Sequence, residues 1–227
     1  MSDSDHPNTL TPIDRVPTST LIAEQLREAV MSGDFAQGEQ VGEAIVAEQL
    51  GVSRGPLREA MQHLVAEGLL EAVPHRGLFV VTLSEEDIRD IYTARLAVET
   101  AAVLEIIRHP EPEAAAGRLD RAVRRLGHAA DHGSPKALAE ADAAFHEQLV
   151  SESGSVRLQR MAGTLLVETR MCLAALAEKY VAPDDLAHEH AVIVDAIRAG
   201  DRNAAIEVMR SHMHDAMGRL LPTPAMD

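Results

Sequence analysis

Apolar residues recur at helical spacing along nearly the whole chain, and the interruptions divide it into elements. From Pro17 to Ser32, Ile22, Leu26, Ala29 and Val30 fall on one helical face and predict a first helix, ended by Gly33 and the loop Asp34 to Gly42. A short helix is expected over about Glu43 to Leu50. Gly51 breaks it, and Ser53 is placed to cap a further helix running to about Glu67. Gly68 stops that helix, and the β-prone stretch Leu69 to Val81, turning about Pro74-His75-Arg76-Gly77, predicts a small hairpin. Ser84-Glu85-Glu86-Asp87 resembles a capping box and opens a helical region that reaches about Leu220. Its breaks fall at His109-Pro110, Gly133-Ser134-Pro135, around Gly154, at Ala182-Pro183 and at Gly200-Asp201.

Helix, helix, tight turn, helix and hairpin within about 65 residues is the winged helix-turn-helix plan. The remainder predicts roughly six helices, enough for an antiparallel bundle of about 135 residues. The expected fold class is therefore mainly α: an N-terminal winged helix-turn-helix with a small β-hairpin wing, then an all-α antiparallel bundle. Composition agrees, because aromatics make up only 2% of the chain, Trp is absent, and good helix formers dominate. A length of 227 residues holds one large or two small domains.

The single cysteine, Cys172, excludes an internal disulfide and fits a reducing compartment. No apolar run approaches the roughly 18 residues of a membrane span. Met1 to Pro12 is polar and acidic, which suits a flexible arm rather than a signal peptide. The expected location is cytoplasmic, with no membrane partner. Charge runs against a nucleic-acid partner: the chain carries −15 overall, and residues 1–83 contain five Arg and no Lys against twelve Asp and Glu, a net −7. DNA affinity ordinarily comes from a basic surface that releases counterions, so any contact here rests on a few clustered positive groups.

Such a cluster is present. In the helix that follows Ser53, Leu57, Met61 and Leu64 form the apolar stripe, while Arg54 and Arg58, four apart, share an adjoining face near the helix N-terminus. A recognition helix presents that end to the major groove, where Arg grips guanine O6 and N7 with two hydrogen bonds. Free backbone N–H groups around Ser53 and Gly55 favour phosphate. At the hairpin tip, His75 and Arg76 flank Gly77 and suit a backbone or minor-groove contact. The alternative is that Arg54 and Arg58 pair with Glu59 or Glu48 on a solvated face. The run Ala47-Glu48-Gln49-Leu50-Gly51-Val52-Ser53-Arg54-Gly55-Pro56-Leu57-Arg58-Glu59-Ala60, then Glu67-Gly68-Leu69-Leu70 and Arg76-Gly77, resembles the DNA-binding domain of the GntR family of bacterial regulators over about residues 17–82. The resemblance implies that Arg54 and Arg58 read bases and that the wing from His75 to Gly77 touches DNA. Members often carry Thr where this chain has Gly55, and many carry Arg where it has Ala44.

The helix from about Pro135 to Ser151 places Leu138, Asp142, Phe145, His146 and Leu149 on one face, so a carboxylate and an imidazole sit in the apolar stripe. A buried unpaired charge costs several kcal/mol, which a metal ion would offset. Two later stripes repeat the pattern: Leu186, His190, Ile193, Val194 and Ile197, then Ala205, Val208, Met209, His212 and Ala216. His188 and His214 fall on polar faces instead. Periodicity thus selects Asp142, His146, His190 and His212 from 11 histidines, a set suited to zinc, nickel or manganese. The alternative for each His is a satisfied core residue. A di-iron bundle fits less well, because no Glu precedes any His by three residues. Arg95, on the stripe of Ile88, Ile91, Tyr92, Ala102 and Ile106, is a candidate clamp for an anionic effector, the alternative being a local pair with Glu99. Arg170 is a second effector candidate, with a structural role as its alternative.

The spacing Asp142-x-x-x-His146, Glu189-His190-x-x-Ile193-x-x-Ala196-Ile197 and His212 is similar to the FCD effector domain of the FadR subfamily, over about residues 84–219. The resemblance implies a metal in the bundle and a small organic acid sensed beside it, although Ser155 stands where members often have Asn. The expected plan is an arm over residues 1–16, a DNA-binding domain over 17–83, a metal- and ligand-binding and dimerisation domain over 84–220, and a loose tail over 221–227. The expected protein is a homodimeric repressor that binds a double-stranded DNA operator and responds to a small carboxylate effector. Two other readings are a regulator for which the ion itself is the signal, and a metal-dependent hydrolase or lyase. The latter requires a placed general base, and only Glu99 offers a spare inward carboxylate.

Overall fold

Residues 16–175 and 185–221 are described by the structure, a computed structural model. All but one residue each of the predicted arm (1–16) and tail (221–227) lie outside the described residues, as does the break at Ala182-Pro183. The N-terminal unit holds α1 (Thr18–Met31), α2 (Glu43–Leu50) and α3 (Arg54–Ala66), followed by β1 (Leu70–Val73) and β2 (Gly77–Val80). The two strands pair antiparallel from Leu70 opposite Val80 to Val73 opposite Gly77. Gly51 adopts the left-handed conformation that closes α2 and sets the turn into α3. Ser53 stands at the N-cap of α3, but its side chain makes no capping bond there. The 33–42 loop lies along the hairpin as a partial third strand, with Val41 N–H donating to Leu78 O and Val80 N–H to Glu39 O, both at 2.9 Å.

The bundle comprises α4 (Glu85–Arg108), α5 (Pro112–His132), α6 (Pro135–Glu152), α7 (Val156–Ala175), α8 (Leu186–Ala199) and α9 (Arg202–Leu220). The predicted capping box is formed in full, the Ser84 hydroxyl accepting from Asp87 N–H and the Asp87 carboxylate accepting from Ser84 N–H. In the bundle α5 packs on α6 and α8, α4 on α7 and α9, and α6 on α7. Phe145, Leu149, Ile193, Ile197 and Met209 lie at the centre of its core. The N-terminal unit closes over Leu57, Ala60, Met61 and Leu64 of α3, packed with Ile22 and Leu26 of α1. One member of that second core, Met171, belongs to α7 of the bundle. Among the described residues no helix is long and apolar enough to cross a membrane.

Candidate functional site

Four of the bundle helices converge on one buried point. Helix α6 supplies Asp142 and His146, α8 supplies His190, α9 supplies His212, and α4 supplies Glu99 and Arg95. The three imidazoles are 1%, 0% and 5% exposed in chain order, and one ring nitrogen of each lies within 4.8 Å of the others. His146 Nε2 stands 3.3 Å from His212 Nε2. Asp142 faces the same point, with Oδ1 3.2 Å from His190 Nε2 and Oδ2 4.0 Å from His146 Nε2. The apolar stripes on these helices carry the four groups inward because Leu138, Phe145, Leu149, Ile193, Ile197 and Met209 must be buried, and the polar positions share their face.

For two of the rings an outer partner fixes which nitrogen carries the proton. His190 Nδ1 lies 2.8 Å from Leu186 O, and a carbonyl only accepts, so Nδ1 donates and Nε2 presents a lone pair inward. His146 Nδ1 lies 2.5 Å from Glu99 Oε2. Burial alone would raise the Glu99 carboxyl, but Arg95 and His146 reverse this and hold it down at about 2, so it stays ionised and accepts a hydrogen bond from His146 Nδ1–H. His212 Nδ1 faces Glu189 Oε2 at 3.6 Å, too long for a hydrogen bond. Burial, reinforced by the neighbouring His190 and His146, pushes His212 down to about 4 despite the pull of Glu189. Asp142 is held well below the ordinary carboxylate range: burial works against this, and His190, His146 and Arg95 outweigh it. The result is that His190 and His146 turn Nε2 lone pairs towards the Asp142 carboxylate and the His212 ring, and His190 Nε2 has no hydrogen-bond partner. Acceptors at this spacing repel one another unless a cation lies between them, and the donor set fits a divalent ion.

Arg95 is 2% exposed and forms the local pair with Glu99. Its Nε donates to Glu99 Oε1 at 2.8 Å, its Nη1 to Thr169 Oγ1 at 3.4 Å, and the Tyr92 ring centroid lies 5.0 Å away. Its Nη2 is buried with no hydrogen-bond partner. The structure does not bring Arg170 to this point. That guanidinium meets Glu28 of α1 at 3.1 Å, at the seam where α7 docks on the N-terminal unit. The same seam holds Met171, 2% exposed, and Gln37, whose amide donates to Met171 O at 3.2 Å and accepts from Leu83 N–H at 3.0 Å. Cys172 is buried and its thiol is pushed up to about 12, chiefly by burial, so it is unreactive.

The sequence marks Glu99 as a local partner for Arg95 and as a spare inward carboxylate, not as a partner of a histidine. Its second partner, His146, lies 47 residues away, a pairing no helical period reveals. Sequence reasoning also passed over Glu189, which accepts from Arg219 through both oxygens at 2.9 Å while facing His212. The only hint was its place beside His190.

In the N-terminal unit, Ser53, Arg54, Gly55 and Arg58 are all exposed at the start of α3. The partner of Arg58 is Glu43 of α2, through Nε at 2.9 Å to each carboxylate oxygen, rather than Glu48 or Glu59. In the wing His75 and Gly77 both have positive φ, 62° and 107°, so the tip turns tightly and leaves His75, Arg76 and Gly77 exposed. Gln40 Nε2 donates to Arg76 O at 2.6 Å, and the Arg76 guanidinium sits 5.0 Å from the Phe79 ring centroid.

A winged helix-turn-helix with an arginine-bearing second helix, docked on a helical bundle with a buried histidine cluster, defines a DNA-binding transcriptional regulator. Residues 18–80 match the family described as bacterial regulatory proteins, gntR family, and residues 90–215 match the FCD domain. The chain belongs to the gntR family and carries an FCD domain, and its relatives are regulators of transcription, not enzymes. It is 32% identical over 202 residues to the "Probable D-xylose utilization operon transcriptional repressor" of Paenarthrobacter nicotinovorans, covering 86% of this chain and 87% of the relative. It is 25% identical over 213 residues to the gluconate operon transcriptional repressor of Bacillus licheniformis, covering 92% and 87%. Among solved structures, a GntR-type regulator from Rhodococcus sp. RHA1 superposes with a TM-score of 0.79 at 27% identity, over 92% of this chain and 99% of that one.

Proposed function

We propose that the chain is a cytoplasmic, homodimeric transcriptional repressor that binds operator DNA and is released from it by a small carboxylate effector at a divalent metal site. The observation that carries this reading is the convergence of three His ring nitrogens and the Asp142 carboxylate at one buried point. His146, His190, His212 and Asp142 would hold the ion, zinc before nickel or manganese, because three imidazoles and one carboxylate match its preference. When bound, such an ion supplies a positive anchor for an effector oxygen. The unpartnered Nη2 of Arg95 would supply a second, charge-assisted anchor. Glu99 joins the two, since one carboxylate oxygen holds Arg95 and the other holds His146.

The D-xylose and gluconate operon relatives are named as repressors, and gluconate is itself a hydroxy acid, which supports both the sign of regulation and the effector class. Arg54, Arg58, Ser53 and Gly55 on α3 and His75, Arg76 and Gly77 in the wing would contact the operator, with two chains matching paired half-sites. The signal has a physical exit along α7. Thr169 receives Arg95, while the next two residues, Arg170 and Met171, bind the N-terminal unit. A coupling of about 1–3 kcal/mol between the sites is sufficient.

The test is DNA binding by metal-loaded and chelator-treated protein, on duplexes selected from a random pool, with a panel of sugar acids and short hydroxy acids. The reading predicts that at least one acid weakens binding by roughly tenfold, only in loaded protein. DNA release by metal alone, with no acid, would instead make the ion the signal. No response to either would overturn the sensing reading.

A further inference from the structure

The covalent link between the two units is short, running from Val81 to Ser84 between β2 and α4. Val81 N–H donates to Leu69 O at 3.1 Å, inside the N-terminal unit, and Ser84 N–H donates to Asp87, inside the bundle. Between them Leu83 packs against both hydrophobic cores, and its N–H is met by a side chain, the amide oxygen of Gln37 at 3.0 Å. The other end of that amide donates to Met171 O of α7 at 3.2 Å. Chemistry fixes which end is which, because a peptide N–H only donates and a carbonyl only accepts. Gln37 itself is anchored in the N-terminal unit, since the next residue, Gly38, donates its N–H to Val80 O at 2.9 Å.

The other contacts of this seam hold the units together without setting their angle. Met171 is buried in the core of the N-terminal unit, but apolar burial is non-directional. Arg170 meets Glu28 at 3.1 Å, yet that carboxylate is half exposed, and such a pair contributes little and can follow a displacement. The Gln37 amide differs from both. It is planar, and its two directional bonds run to α7 and to the link at once, which fixes an orientation. On paired half-sites orientation decides fit: one added base pair moves the second half-site by about 3.4 Å and turns it by roughly 35°.

We propose that Gln37 is a specificity-determining residue for operator spacing, fixing the separation at which two DNA-binding units meet the duplex. The proposal rests on the reading of the chain as a dimer on paired half-sites, and the experiment separates the two.

A half-site would first be obtained with wild type from a random duplex pool. Full-length wild type, Q37M, Q37E and E28A would then each be offered duplexes carrying two copies of it at every separation across one helical turn. Met matches Gln in length and makes neither bond, while Glu keeps an acceptor for Leu83 N–H but turns a second acceptor on Met171 O. Wild type should favour one separation over its neighbours one base pair longer or shorter. Q37M and Q37E should each weaken that preference by about fivefold, the worth of one net hydrogen bond. E28A should leave it within about twofold. Base preference inside each half-site should stay as in wild type. A merely destabilised protein would instead lose binding at every separation alike. If wild type selects no paired half-sites, the dimer reading fails and the proposal with it. If wild type selects one separation and both Gln37 variants keep it as sharply, that reading stands and the role of Gln37 is overturned.

Discussion

Glu99 accepts from Arg95 through one oxygen and from His146 through the other, and all three side chains are at most 2% exposed. Removing one partner from a buried ion pair costs about 3–5 kcal/mol, because the other charge is left without compensation. Glu99→Gln is therefore expected to lower unfolding stability by roughly that amount in urea titration at neutral pH. It should also weaken metal affinity by about 10- to 100-fold, since Glu99 orients His146. A loss below about 1 kcal/mol would mean Arg95 finds another counter-ion.

The cluster also predicts a pH dependence for metal-free protein. His212 titrates at about 4 when folded against 6.5 ordinarily, so the unfolded chain takes the proton first. Its contribution is fully present above pH 6.5 and is lost as pH falls from there towards 4. Glu99, held at about 2 against 4.5, adds a second window at lower pH, with stability present above 4.5 and lost as pH falls towards 2. Melts of chelator-treated protein should decline below pH 6.5, and His212→Gln should remove the first window while leaving the second. A profile flat from neutrality to pH 5 contradicts the assignment.

At the scale of elements, the sequence was legible wherever one face of a helix is buried by one neighbour. Most members of the stripes of α3, α6, α8 and α9 are buried, His146, His190 and His212 included, while Asp142, Val208 and Ala216 are partly buried, because burial fixes period and phase together. Glycines marked the ends: Gly51 and Gly200 adopt positive φ at the C-caps of α2 and α8. Helix α7 was harder to read. It meets α4 and α6 on one side and α1 on another, so its apolar residues do not form a single stripe and Arg170 had no marked direction. Periodicity shows that a residue is buried, not which element buries it, and Met171 lies in the core of the other unit for that reason.

Met171→Ala is expected to cost about 2–5 kcal/mol, as for other large-to-small core changes. Because it weakens the seam, calorimetry should show the N-terminal unit melting ahead of the bundle. A single unsplit transition with an unchanged midpoint would mean that α7 does not hold the two units together.

For the whole molecule, an acidic chain binds an acidic polymer only if its few positive groups are well placed, which puts selectivity ahead of general affinity. The exposed arginines of α3 and the wing are the groups proposed for this, and α7 packs both on α1 of the N-terminal unit and on α4 and α6 of the bundle. The central claim is that four inward polar side chains are gathered by an ion. X-ray absorption at the metal edge, combined with elemental analysis of protein purified without added metal, tests this most directly. The account predicts one divalent ion per chain in a shell of nitrogen and oxygen donors, lost in a His190→Ala/His212→Ala variant that also melts at lower temperature. Native protein free of metal, with that variant as stable as wild type, would contradict it.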